Sequence, residues 1–194
     1  MGLISLLTGG IAGGIYVANK VIKQKKAQND DSVQTIVKNT FSIDIPSFLT
    51  PTDKYGETAS LCYCNKTLGI VLEVIDEPKQ DFIEALNELR KEAPEFGKGD
   101  SLLDIMSAME INHIFEDKDK IEILDCYETT INGLKALTLN ALRKGTFFKA
   151  AIFVSFTFIE GKDTLYQIRI WSGGTSIAKL EEKLDKSIKS FKEL

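Results

Sequence analysis

This 194-residue sequence is poor in histidine and lacks the glycine-rich motifs that bind phosphate. His113 is the single histidine, and no Gly-x-Ser-x-Gly elbow accompanies it, so a Ser-His-Asp triad is not predicted. No Gly-x-Gly-x-x-Gly or Gly-x-x-x-x-Gly-Lys-Ser/Thr stretch follows a predicted strand, which removes the usual phosphate-binding loops. We therefore expect no catalytic residue, no cofactor and no enzymatic activity.

Cysteine is also sparse, and three cysteines give no even set for disulfide bonds. Cys62 and Cys64 are two residues apart on a predicted strand, so their Cα atoms lie ~6.5 to 7 Å apart, at or beyond the limit for a bridge. With Cys126 and His113 they could supply a Cys₃His zinc set, but a strand does not provide the close Cys-x-x-Cys knuckle of structural zinc. We predict a reducing compartment and no metal site.

Basic residues are outnumbered by acidic residues outside one short stretch of the chain. The formal net charge is −4, with 24 basic and 28 acidic residues. Because Lys20, Lys23, Lys25 and Lys26 precede residue 27, residues 27–194 hold 20 basic against 28 acidic residues. An acidic domain repels phosphate backbones, so nucleic acid is not an expected partner.

Residues 1–19 carry no charge at all. As a helix they would rise ~28 Å, which is enough to cross the hydrocarbon layer of a membrane. Small residues recur every four positions and form a stripe of the kind along which transmembrane helices pack closely. The stripe consists of Gly9, Gly10, Gly13, Gly14 and Ala18. We interpret residues 1–26 as a hydrophobic, glycine-rich helix with a basic flank, and expect membrane anchoring and possible homo-oligomers through the stripe.

Two other interpretations of residues 1–19 stay open, a cleaved signal peptide and a soluble segment. No basic residue precedes the apolar run and no small-x-small cleavage site follows it, which disfavours a signal peptide. If the segment spans a membrane, the lysines behind it predict that the following domain faces the cytoplasm.

The chain after the anchor predicts mixed α and β structure. Residues 27–40 are polar and predict a linker or a short helix, and Phe41 to Ile45 alternate as a strand that ends at Pro46. Further strands are predicted over 59–64 and 68–75, joined by a turn, and then helices over 81–93 and 101–115.

An antiparallel meander organises the second half of the chain. Asn132-Gly133 between two apolar-alternating runs is a strong hairpin signal, since both central residues need a positive φ. Four strands are predicted, over 121–131, 134–144, 147–159 and 164–172. A final helix carries the apolar stripe Ile177, Leu180, Leu184, Ile188 and Phe191. The fold class is therefore α+β, an antiparallel β-sheet sandwiched by helices, over residues 41–194.

This order of elements resembles the PsbP-like fold group. The resemblance rests on the opening Phe41-Ser42-Ile43-Asp44-Ile45-Pro46, two strands ending at Asp76-Glu77, a helical excursion, the long meander and the closing helix, over about residues 40–194. It implies an α/β/α sandwich. It also implies a role in binding other proteins, because the group includes photosystem subunits, small-GTPase-binding proteins, envelope lipoproteins and chaperones.

The expected function is a non-catalytic protein-binding module, tethered to a membrane as a subunit or accessory factor of a larger assembly. A soluble chaperone or adaptor for hydrophobic partner segments is the alternative. A hydrolase built from dispersed carboxylates is the third possibility. The identity of the protein partner is not predicted.

Overall fold

A computed structural model describes residues 23, 25–27, 29–55, 58–114, 121–143, 151–173 and 180–194. The strands are β1 (Val33–Val37), β2 (Phe41–Pro46), β3 (Thr50–Pro51), β4 (Leu61–Asn65), β5 (Ile70–Pro78), β6 (Ile121–Ile131), β7 (Leu134–Arg143), β8 (Ile152–Glu160), β9 (Thr164–Gly173) and β10 (Lys192–Glu193). The helices are α1 (Lys79–Glu92), α2 (Leu102–Ile114) and α3 (Glu181–Ser190).

The large sheet has seven strands in the order β3-β4-β5-β9-β8-β7-β6, and each neighbouring pair is antiparallel. The predicted meander is confirmed as β6 to β9. Asn132 and Gly133 have φ values of 48° and 89°, so the predicted turn is present and Ile131 pairs with Leu134. Strand β8 begins at Ile152, and the predicted start at residue 147 lies outside the described residues.

For residues 27–40 we predicted a linker or a short helix, and the structure shows helical residues at 27 and 29 followed by a strand that belongs to a second sheet. Residues 33–37 form β1, which pairs with β2 in a three-stranded sheet of order β1-β2-β10. Val33, Thr35 and Val37 are β-branched residues that favour a strand. Their polar flanks hide this preference in the sequence. One side of the sandwich is therefore a small sheet plus a helix, where we predicted helices alone.

The space between the two sheets holds the larger core. Phe41 of β2, Tyr166 of β9 and Phe191 meet there, with ring centroids 4.9 to 6.0 Å apart. The Tyr166 hydroxyl lies within hydrogen-bond distance of two acceptors that share its single proton, the Thr40 carbonyl oxygen at 3.1 Å and Glu193 Oε1 at 3.2 Å. Leu180 and Leu184 extend the same core, as the predicted stripe of the last helix requires, while Ile177 lies outside the described residues.

Helices α1 and α2 cover the opposite face of the large sheet. Phe82 and Leu86 of α1 pack against Leu165, and Leu103 of α2 packs with Leu137, Leu139, Val154, Phe156 and Phe158. Trp171 joins this second core edge-to-face with Phe156, at 5.7 Å between ring centroids. Helix α2 begins with a capping box, in which the Asp104 amide donates to Ser101 Oγ and the Ser101 amide donates to Asp104 Oδ2, both at 3.2 Å.

The predicted anchor over residues 1–19 and its stripe of Gly9, Gly10, Gly13, Gly14 and Ala18 lie outside the described residues. Within the described ranges, every helix is too short or too polar to span a membrane.

Gly161 offers a test of how tightly the sandwich closes. A Cβ at Gly161 would lie 2.7 Å from the Thr164 carbonyl oxygen and 2.8 Å from the Tyr166 ring, and it would also meet Glu193. We expect Gly161→Ala to lower the free energy of unfolding by about 1–3 kcal/mol through overpacking. The measurement is urea denaturation followed by circular dichroism.

Gly173→Ala is the matched control, because the nearest described atom to its added Cβ is 4.0 Å away. Its stability should stay within about 0.5 kcal/mol of the parent chain. Equal losses in the two variants would contradict the packing described at Gly161.

Candidate functional site

Strand β6 forms one end of the large sheet and is its most exposed strand. Its central nine residues, 122–130, are all exposed, on both faces of the sheet. Among the described strands it pairs with β7 alone. A strand in this position leaves one row of backbone amides and carbonyls available to another chain.

The turn geometry identifies which backbone groups point outward. A two-residue turn makes Ile131 and Leu134 a hydrogen-bonded pair, and such pairs alternate with non-hydrogen-bonded pairs along an antiparallel ladder. By this alternation the amides and carbonyls of Cys126, Glu128 and Thr130 face away from β7. A register shift between Ile123 and Asp125 interrupts the ladder at Leu124 and limits the regular edge to residues 125–131.

Strand β6 combines exposed apolar side chains with acidic ones. Ile123, Leu124 and Tyr127 are 54%, 50% and 47% exposed. Asp125 and Glu128 lie among them, and residues 121–131 contain no lysine or arginine. Large apolar side chains at an open edge suit contact with another chain, whereas acidic ones restrict which chain can approach.

A cavity of about 530 Å³ adjoins this strand on the face that carries the small sheet. Its floor combines polar and apolar side chains of the large sheet. The polar floor residues are Tyr127, Thr129, Thr138, Asn140 and Ser155, and the apolar ones are Ile131, Phe153 and Ile170. The Thr138 hydroxyl lies 3.2 Å from the hydroxyl of the fully buried Thr157 on β8. We call this cavity the α3 groove, since α3 forms its wall.

The wall of the α3 groove is anionic. Glu181, Glu182 and Asp185 line it above Leu184 and Ile188. Lys186 pairs with Glu182 at 2.9 Å and Lys189 pairs with Asp185 at 2.6 Å. The hydrogen bond from Lys186 lowers the pKa of Glu182, and the hydrogen bond to Asp185 raises the pKa of Lys189. Glu181 has no ion-pair partner among the described residues, so the wall keeps a net negative charge.

A second polar cluster lies buried beneath α2. Arg169 of β9 binds Glu110 of α2 through Nη2 and Oε2 at 2.8 Å, and the same nitrogen donates to Gln167 Oε1 at 2.9 Å. Glu73 sits opposite Arg169 across the β5–β9 ladder and is 5% exposed. Arg169 Nε, Glu110 Oε1 and Gln167 Nε2 have no hydrogen-bond partner among the described residues. Because helix α2 closes this cluster from solvent, we assign it to structure.

The three cysteines considered for zinc do not lie together. Cys62 lies on β4 and Cys126 on β6, five strand spacings apart, which is about 24 Å across the sheet. Cys64 is buried beside Cys62, and His113 lies in the last turn of α2. No group of three metal-ligating side chains occurs within the described part of the chain.

Burial raises the pKa of the Cys62 thiol to about 12, and the negative charge of Glu73 adds to the shift. Its Sγ lies 3.8 Å from Glu73 Oε1. Burial also raises the pKa of Cys126, which remains exposed, with contributions from Asp104 and Asp125. Both thiols are therefore protonated at neutral pH, and neither has the lowered pKa of a reactive cysteine.

Solved structures share this fold over most of the chain. Cyanobacterial PsbP (CyanoP) from Synechocystis sp. PCC 6803 is 12% identical, covers 84% of this chain and 93% of its own, and has a TM-score of 0.58. LpqN of Mycobacterium tuberculosis, involved in cell envelope biogenesis, is 8% identical, covers 84% of this chain and 90% of its own, and has a TM-score of 0.50. The chain thus has a PsbP-like fold, as the order of its elements predicted.

No protein-family model matches the sequence. No curated protein matches it either.

The Arg169–Glu110 pair provides a test of the buried cluster. We expect Arg169→Leu to lower the free energy of unfolding by about 3–5 kcal/mol, because Glu110 would remain buried without its partner. The double variant Arg169→Leu/Glu110→Leu should recover most of that loss. Urea denaturation of all three chains measures it, and a double variant as unstable as the single one would contradict a stabilising role for the pair.

The cysteines provide a test by thiol labelling. Iodoacetamide at pH 8 should modify Cys126 and leave Cys62 unmodified, as read by peptide mass spectrometry. The folded protein holds the Cys62 proton more tightly than the unfolded chain does, so the stability from this group is complete below the ordinary thiol pKa of 9.0 and is lost as the pH rises toward about 12. Labelling of Cys62 at pH 8 as fast as Cys126 would overturn the assignment.

Proposed function

We propose that this protein is a non-catalytic protein-binding module that takes an extended segment of a partner along β6. The observation that carries the proposal is the run of nine exposed residues, 122–130, on a strand that ends the large sheet. An added strand would satisfy the outward backbone groups of Cys126, Glu128 and Thr130 and would bury the apolar surface of Ile123 and Tyr127.

The chemistry of β6 separates binding from simple aggregation. Edge strands commonly carry charges and bulges that prevent pairing with further copies. Here Asp125 and Glu128 supply charge of one sign, and the bulge at Leu124 shortens the regular edge. These features repel a second acidic β6 but leave the outward backbone groups of residues 126–130 in place for a different chain.

The second part of the proposal is a membrane tether. The uncharged residues 1–19 and the lysines that follow them support an anchor whose domain faces the cytoplasm. The glycine stripe would allow the anchor to pack with itself or with another membrane subunit. LpqN, which shares the fold, is involved in cell envelope biogenesis, which agrees with a setting beside a membrane. Fold alone assigns no function, so the tether rests on the sequence.

The hydrolase alternative receives little support from the α3 groove, although carboxylates line its wall. A general acid needs a carboxyl group whose pKa is raised, usually by burial or by a nearby carboxylate. The hydrogen bond from Lys186 lowers the pKa of Glu182 instead, and Asp185 is held in an ion pair with Lys189. These contacts favour charge recognition over proton transfer.

Site-specific photocrosslinking in the native host tests the binding surface. A photoreactive residue in place of Glu128 on β6 should yield a discrete crosslinked partner, because that position would lie beside an added strand. The same residue in place of Glu88, which is exposed on α1, is the control. Equal products from both positions, or none from Glu128, would contradict binding along β6.

Carbonate washing of membranes tests the tether separately. The full chain should stay in the membrane pellet, and a chain lacking residues 1–19 should move to the supernatant. Release of the full chain by carbonate would favour the soluble chaperone or adaptor instead.

A further inference from the structure

Building on the proposed function, we infer that the partner segment is basic, with cations spaced three residues apart on opposite faces of its strand. The inference follows from two acids of β6. Asp125 and Glu128 form no ion pair with another described residue, and no lysine or arginine lies within residues 121–131.

The register places the two acids on opposite faces of the sheet. Asp125 pairs with Asn140, and both side chains share the face of the α3 groove with Tyr127 and Thr138. Glu128 pairs with Leu137, whose side chain belongs to the core beneath α2, so Glu128 points to the other face. A strand added to β6 would place a side chain about 4.5–5.5 Å from each acid.

The surroundings add acids on both faces, alongside one lysine on each: Lys189, paired with Asp185 near Tyr127 on the groove face, and Lys135, diagonal to Glu128 on the helix face. On the groove face, the α3 wall contributes Glu181 with no described ion-pair partner. On the helix face, Asp104 of α2 lies close enough to Cys126 to raise the pKa of its thiol. A cation of the partner on either face would therefore approach one acid of β6 and one acid of a neighbouring helix. The second acid would make the preference for a basic partner stronger than a single cross-strand pair could.

A second copy of this chain is a poorer occupant for the same reason. Two β6 strands would bring Asp125 and Glu128 of each copy to one interface without a lysine or arginine on either strand. Like charges across an interface oppose association, whereas lysine or arginine in the added strand would remove the repulsion.

The apolar side chains define the rest of the partner segment. Tyr127 lies on the groove face and Ile123 on the helix face, and both are about half exposed. Apolar or β-branched residues in the added strand would cover them, since aromatic and β-branched cross-strand pairs are favourable. The partner segment is therefore an extended stretch that mixes lysine or arginine with valine, isoleucine or threonine.

The test uses the full chain and a capped octapeptide of sequence Thr-Val-Lys-Val-Thr-Lys-Val-Thr, which carries lysines three residues apart. A matched peptide has glutamate in place of both lysines, and a third has the lysine sequence with alternate amides N-methylated. Fluorescence anisotropy gives each dissociation constant. We expect the lysine peptide to bind about tenfold tighter than the glutamate peptide, because two cross-strand attractions replace two repulsions. N-methylation should abolish binding.

Charge reversal on the protein locates the selection. Asp125→Lys/Glu128→Lys should reverse the preference and favour the glutamate peptide. Glu88→Lys/Glu95→Lys makes the same change in net charge on exposed positions away from β6, and it should keep the preference for lysine. Loss of the preference in both variants would show selection by overall charge and would overturn the inference.

The remaining outcomes separate the inference from the proposed function. Equal binding of the lysine and glutamate peptides, with both lost on N-methylation, would overturn the basic partner and leave strand addition intact. No peptide binding together with no crosslink from position 128 would remove both. A dimer in sedimentation that the two charge reversals dissociate would make a second copy the occupant, against the inference.

Discussion

The architecture depends on one constraint: the large sheet is wider than the small sheet and helix α3, which cover one of its faces. Seven strands span about 29 Å across the sheet, whereas α3, with ten residues, is about 15 Å long. The small sheet and α3 close the core around Phe41, Tyr166 and Phe191, over β4, β5 and β9 and over the ends of β6 to β8 at Ile131, Ala136 and Ile159. Beyond these ends the cover stops, and β6 to β8 line the α3 groove.

That boundary explains why the binding surface lies where it does. In the covered part the residues that face the small sheet are mainly leucine, isoleucine, valine and tyrosine, and in the groove threonine, asparagine and serine appear beside Phe153 and Ile170. The central residues of β6, 122–130, are exposed on both faces, and among the described strands β6 pairs with β7 alone. The acidic wall of α3 then adds charge to a surface that already contains Asp125 and Glu128.

Much of the fold could be predicted from the sequence, because its main signals are local. The turn at Asn132-Gly133, the capping box at Ser101 and the apolar stripe of the last helix each lie within a few residues. The β1 strand was missed, since its alternation is short and its Val33 and Val37 are exposed. The pairing of β5 with β9 joins distant parts of the chain, and without it the sequence cannot show that β6 is an edge.

The candidate site was less predictable than the fold. The sequence predicts residues 121–131 as an apolar-alternating strand, and that pattern does not show that residues 122–130 are exposed on both faces; this follows only once the strand order is known. Charged residues inside apolar strands, Glu73 and Arg169, were the available signal for the buried cluster beneath α2. The small-residue stripe of residues 9–18 belongs to the predicted anchor and is independent of this surface.

Residue-resolved amide hydrogen exchange of the full chain, by NMR, tests the central claim most directly. If β6 is an open edge, the amides of Cys126, Glu128 and Thr130 should exchange rapidly, while those of Asp125, Tyr127 and Thr129, directed at β7, should be protected. Equal protection of both sets would mean that another segment already covers the edge, and the account of β6 as a binding surface would be contradicted.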